Sequence, residues 1–184
     1  LPDTIEVIGR DAFVLMRSLT DICLPSSVKT IDRGAFYYCS NLSQITIPEN
    51  VQTIGVNCFT YCTSLRQVQV LGDELKTVGR SAFSRCEKLQ SINLPASLKT
   101  IERQAFFRTA LRTVRIPGNC VVEGEAFLYN NSLKKLVFED RTNENNMFIQ
   151  SYAFGYCTNL AKVYFPKESV GFQIPAAAFE GCTK

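Results

Sequence analysis

The stretch Ala35–Pro48, AFYYCSNLSQITIP, decides the fold. Its Phe36 is followed by Cys39, Leu42, Ile45 and Ile47 before Pro48 closes the string. Nearly the same string returns as AFSRCEKLQSINLP from Ala82 and, with more changes, as AFGYCTNLAKVYFP from Ala153. The Phe landmark persists further, at Phe13, Phe36, Phe59, Phe83, Phe106, Phe127, Phe154 and Phe179, with Cys58 replacing Ala before Phe59. Successive landmarks are 23, 23, 24, 23, 21, 27 and 25 residues apart. Self-similarity at such a period marks a coil wound repeatedly, here about eight repeats of 21–27 residues.

The columns inside each repeat predict how it folds. One runs Leu19, Leu42, Leu65, Leu89, Leu111, Leu133 and Leu160. The next two, led by Ile22 and Leu24, alternate with polar residues, as a short strand does when one face is buried. Pro25, Pro48, Pro95, Pro117 and Pro166 then stop the strand, because proline has no N–H to give a ladder. A second apolar pair follows in most repeats (Ile5/Ile8, Val28/Ile31, Val51/Ile54, Leu75/Val78, Leu98/Ile101), spaced for a short segment crossing the opposite side. Ala-Phe and the following Cys read as a tight helical turn whose ring plugs the interior. No repeat can bury its apolar side alone, so the strands stack in parallel about 4.8 Å apart, giving a rod of about 40 Å. Parallel crossovers predict a right-handed coil.

Residues 1–184 read as one repeat domain. Its repeats are incomplete at both ends, as in a fragment of a longer protein. The polar string Glu139–Asn146, EDRTNENN, reads as a loop inserted in the coil. With 46% hydrophobic and 20% charged residues the composition is that of a globular domain. No apolar run approaches the roughly 18 residues of a transmembrane helix. A net charge of +3 is too small to point to nucleic acid. Histidine is absent, which removes the commonest general base and metal ligand. No phosphate loop or nucleophile elbow occurs, and the sparse acids fall in connections. No catalytic residue, metal site or cofactor is expected.

The repeated pattern LxxIxLPxxLxxIgxxAFxxCxxL, present from Pro2 to Cys182, resembles the BspA-like leucine-rich repeats. The resemblance implies a leucine-rich-repeat solenoid of the α/β class, mostly short parallel strands with 3-10 or short helical turns. It also implies membership of a group made up mainly of bacterial and protozoan cell-surface or secreted proteins, several of which look like adhesins for host or matrix proteins. Departures from the pattern are Cys58 for Ala, Thr109 and Asn130 for Cys, and Leu71 and Glu139 for Pro.

Eight cysteines invite a disulfide framework, but Cys39, Cys62, Cys86, Cys157 and Cys182 share one column. Side chains in such a ladder run parallel, whereas a bridge needs Cβ atoms converged to about 3.8 Å. Reduced core thiols are expected, with one or two disulfides as the alternative. Cys23, between Ile22 and Leu24, should face outward. The triplets Asn41-Leu42-Ser43 and Asn130-Asn131-Ser132 match the glycosylation pattern, which arises often by chance.

The outward strand positions form the expected concave binding face of such a coil. Gln69 and Asn93 lie on its polar first half, and Arg112, Arg115, Lys134, Lys135 and Lys162 gather beside Tyr164 on its second. Among these columns no acid follows Asp21, so the second half would favour an anionic partner. The residues therefore point to a non-catalytic module that binds a protein (a host or matrix protein) or an acidic glycan. The alternatives are a solvated face on a rigid spacer, or repeats that select substrate for a larger enzyme.

Overall fold

The computed structural model describes residues 1–140, 148–167 and 173–184. Each turn of the coil has two sides, as the two sets of columns predict. On one side lie the two-residue strands β1 (Val7–Ile8), β2 (Thr30–Ile31), β4 (Thr53–Ile54), β6 (Thr77–Val78), β8 (Thr100–Ile101) and β10 (Val121–Val122). They form one parallel sheet in the order β1-β2-β4-β6-β8-β10. Parallel bridges Val122↔Ile149 and Phe148↔Gln173 carry the same side onward, so Ile149 is the buried residue that continues the Ile column.

On the other side lie β3 (Gln44–Ile47), β5 (Gln67–Val70), β7 (Ser91–Ile92), β9 (Thr113–Ile116), β11 (Lys135–Phe138) and β12 (Lys162–Tyr164). Every pairing is parallel and offset by one repeat, for example Ile45↔Val68 and Val114↔Leu136. This side is divided into β3-β5-β7 and β12-β11-β9. The division coincides with a shortened repeat: Leu111 follows Phe106 by five residues, where Leu89 follows Phe83 by six. β7 stops at Ile92, and Asn93 takes over the pairing with its side chain. Its Oδ1 accepts from the Val70 N–H at 2.8 Å and its Nδ2 donates to the Val70 carbonyl at 2.8 Å.

Between the two sides runs a file of Phe rings. Phe13 to Phe36 is 5.0 Å between centroids, and the next steps are 5.1, 5.1, 5.3, 5.0, 5.1 and 5.4 Å as far as Phe179. The six inner rings are fully buried, and Phe13 and Phe179 are partly so. Leu42, Leu65, Leu89, Leu111 and Leu133 are likewise fully buried beside them.

The expected helical turn around each Phe is not a helix. The residues two before and two after every landmark have positive φ, as at Gly34 (64°) and Tyr38 (62°) or Ser81 (55°) and Arg85 (58°). Left-handed residues interrupt any right-handed helix. The gain lies between repeats: the N–H groups of Gly34, Phe36 and Tyr38 point along the coil and donate to the carbonyls of Val56, Cys58 and Thr60 at 2.8–2.9 Å. A helix would have closed those donors on themselves. Among the described residues no α- or 3-10 helix occurs. The insertion read at 139–146 falls, apart from Glu139 and Asp140, outside the described residues.

Four residues before Phe59 stands Gly55, where a Cβ would lie 2.5 Å from the Asp32 carbonyl carbon and 2.6 Å from the Arg33 nitrogen. Backbone cannot yield as a side-chain end does, so Gly55→Ala should lower stability by about 1–3 kcal/mol. At Gly9 a Cβ would meet nothing within 4 Å, and Gly9→Ala should stay within about 0.5 kcal/mol. Urea midpoints of the two variants provide the check.

Candidate functional site

The register of β9, β11 and β12 sets the candidate face. Thr113, Lys135 and Lys162 share one row, and Arg115, Val137 and Tyr164 another. Arg112 and Lys134 precede the strands, with the Lys134 N–H donating to the Arg112 carbonyl at 2.9 Å. The coil thus brings together the five cations and Tyr164. It does not bring Gln69 to them: that side chain lies on β5 beside Thr46, in the other half of the divided side. Asn93 is exposed, with its carboxamide bonded to the Val70 backbone.

The cations differ in freedom. Lys135 and Lys162 are paired neighbours on adjacent strands, and like charges directly opposite repel. Lys135 is folded over the Tyr164 ring, its Nζ 5.0 Å from the centroid. Arg115 Nη1 lies 4.0 Å from Glu139 Oε1, so an acid does reach this face, from the position where other repeats place proline. Arg112, Lys134 and Lys162 are exposed and have no carboxylate partner among the described residues. The face therefore keeps a positive excess with three unpaired cations. No group of residues that could hold a metal ion, and no helix long and apolar enough to cross a membrane, is present among the described residues.

All eight cysteines are free, and their column is more than apolar filling. Each column thiol donates to the carbonyl of the Phe one repeat earlier: Cys39 to Phe13 at 3.1 Å, Cys62 to Phe36 at 3.2 Å, Cys86 to Phe59 at 3.1 Å, Cys157 to Phe127 and Cys182 to Phe154 at 3.3 Å. Where Asn130 stands for Cys, its Nδ2 donates to the Phe106 carbonyl at 2.7 Å, and Thr109 donates to its Oδ1. Asn130 thus preserves the bond to the preceding Phe carbonyl, whereas the Thr109 hydroxyl turns to Asn130 instead. Cys23 is exposed, as its strand position implies.

Burial pushes the Cys39 thiol up to about 11 and the Cys120 thiol up to about 12, from an ordinary 9.0. It also raises Cys58, Cys62 and Cys86. Thiols raised in the folded state favour folding fully below their unfolded value. Above about 9 the unfolded chain ionises while the folded chain does not, so stability falls as pH rises toward about 11–12. Urea midpoints at about pH 7.5 and about pH 10.5 should show the drop, and Cys86→Ala should make it shallower.

A second array lies on the turn ridge, two residues after each Phe, and was not foreseen. Tyr38 and Tyr61 stack at 4.5 Å, and Tyr129 and Tyr156 at 5.1 Å. Arg17 sits 5.8 Å over Tyr38, Arg85 5.5 Å over Tyr61, and Arg108 5.2 Å over Tyr129. Phe107 joins the halves, 5.6 Å beneath Arg85 and 5.5 Å beneath Arg108. Aligning the repeats on Phe would have exposed this column.

Solved structures share the coil. A leucine-rich repeat protein from T. pallidum is 29% identical with a TM-score of 0.77, over 87% of this chain and 76% of that one. A Bacteroides ovatus leucine-rich repeat protein is 27% identical with a TM-score of 0.59, over 76% of this chain and 42% of that one. One from Eubacterium ventriosum is 26% identical with a TM-score of 0.63, over 100% of this chain and 42% of that one. The chain thus spans under half the length of the last two. No curated protein matches it in sequence. The profile of the BspA type leucine rich repeat region matches residues 1–73 and 68–184 in six copies. Those overlapping matches run from end to end, and the chain belongs to the BspA-type leucine-rich-repeat family.

Proposed function

We propose that this chain is a non-catalytic protein-interaction module, and that it binds the acidic surface of a protein partner through the outward face of β9, β11 and β12. One observation carries the reading: the parallel register gathers Arg112, Arg115, Lys134, Lys135 and Lys162 on a single face where, among the described residues, Glu139 is the acid that reaches them, beside Arg115. Membership in a repeat family of interaction and structural modules supports it. The frame is pre-ordered by the Phe file, so little ordering cost falls on association, and the positive excess speeds the approach of an acidic partner. In this reading the module serves a cell-surface or secreted adhesin-like protein whose partner is a host or matrix protein.

Arg112→Glu, Lys134→Glu and Lys162→Glu reverse the three unpaired cations without disturbing the Lys135–Tyr164 or Arg115–Glu139 contacts. Combined, they should weaken binding to acidic matrix proteins by about a hundredfold or more, chiefly through association rate and with a reduced salt dependence. Unchanged binding by a variant of native stability would favour a rigid spacer, the reading to which the uninterrupted Phe file lends itself.

A further inference from the structure

We propose that the turn ridge is a second binding surface, built for an acidic polysaccharide bearing carboxylate or sulfate groups. The ridge is distinct from the long-strand face and does not depend on what that face binds. Arg17, Arg85 and Arg108 have no carboxylate partner among the described residues and rest instead on aromatic rings. A guanidinium lying on a ring keeps its N–H groups available at its edge, and their fork matches a carboxylate or sulfate. The hydroxyls of Tyr38, Tyr61 and Tyr129 likewise have no hydrogen-bond partner within the protein among the described residues.

The coil sets the spacing, because Tyr38 to Tyr61 and Tyr129 to Tyr156 are one repeat apart at 4.5 and 5.1 Å. The result is a row of donors from Arg17 to Tyr129, some charged and some neutral, ending at Tyr156, whose hydroxyl donates to Glu180 at 3.5 Å. A chain whose every unit carries both hydroxyls and anionic groups fits that mixture, since a tyrosine hydroxyl and a sugar hydroxyl each donate and accept. An acidic peptide offers carboxylates but no matching row of hydroxyls. Single-stranded nucleic acid fits less well, because base recognition needs open ring faces and these faces are covered by one another and by arginine.

The test uses the intact chain with heparin and polygalacturonate as probes, and dextran and polyglutamate as comparisons, by calorimetry at low salt. Heparin or polygalacturonate should bind, dextran should not, and polyglutamate should bind much more weakly. Arg85→Gln with Arg108→Gln should lower affinity by about tenfold or more, because two charge-assisted contacts are lost. Tyr38→Phe, Tyr61→Phe and Tyr129→Phe together keep the ring stacks but remove the hydroxyls. They should lower affinity several-fold with no change in the unfolding midpoint. Arg112→Glu with Lys162→Glu, on the other face, should leave ridge affinity nearly unchanged, which separates this outcome from failure of the strand-face reading. The proposal is overturned if neither glycan binds, if polyglutamate binds as tightly, if the tyrosine variants bind as the parent does, or if the strand-face variant alone abolishes glycan binding.

Discussion

Replacing Phe83 by alanine is expected to lower the stability of the chain by about 3–5 kcal/mol. The ring is fully buried between Phe59 and Phe106, at 5.1 and 5.3 Å, with interplanar angles of 2° and 6°. Its removal forfeits the transfer of an aromatic side chain and leaves a cavity between two rings that are themselves held by their neighbours. The inter-repeat hydrogen bonds on either side limit how far the wall can collapse, so most of the cavity should remain. Phe13, at the end of the file and only partly buried, has a single ring neighbour among the described residues, and Phe13→Ala should cost clearly less. Urea unfolding followed by circular dichroism measures both. A loss under about 1 kcal/mol for Phe83→Ala would mean the ring does not plug a shared core.

The second large effect is expected at Asn130. This side chain is fully buried, donates to the Phe106 carbonyl at 2.7 Å and the Phe127 carbonyl at 2.8 Å, and accepts from Thr109. Asn130→Val keeps the volume roughly but strands the Phe106 carbonyl and the Thr109 hydroxyl in an apolar interior. The cost should be about 2–4 kcal/mol, since an unsatisfied buried polar group carries its full desolvation penalty. Asn130→Cys should lose markedly less, because thiols at this column reach the same carbonyl in other repeats. A valine variant as stable as the parent, or a cysteine variant less stable than the valine one, would show that the column is chosen for size alone.

The columns of apolar residues were legible from the amino acids because burial repeats with the coil: Ile45, Val68, Val114 and Leu136 are inward wherever the alternation puts them. The Phe file followed from its spacing. Three features were not legible. The turn around Phe looks helical in composition, and only the inter-repeat ladder shows why Tyr38 and Arg85 take left-handed angles. The cysteine column reads as a run of small hydrophobes until Asn130, a polar residue in the same place, donates to the same kind of carbonyl as the thiols do.

The third unread feature is the division of the long-strand side. It falls beside the repeat that lacks one residue before Leu111, and on the opposite side of β7 the Asn93 side chain bonds the Val70 backbone. Asn93 is thus an exposed residue whose side chain also serves as a rung to β5. Of the face foreseen for binding, the cations and Tyr164 do come together, because register follows from the repeat. Lys135 settling on Tyr164 and Glu139 reaching Arg115 depend on side-chain reach, which spacing does not encode.

Both faces exist only if consecutive repeats are stacked in register around the Phe file. Nuclear Overhauser contacts between selectively labelled Phe rings test this most directly. Cross-peaks should link Phe36 to Phe59, Phe59 to Phe83 and Phe83 to Phe106, whose centroids are 5.1, 5.1 and 5.3 Å apart, with none linking Phe36 directly to Phe83. Missing cross-peaks between neighbours, or strong ones between rings two repeats apart, would contradict the coil and both binding faces built on it.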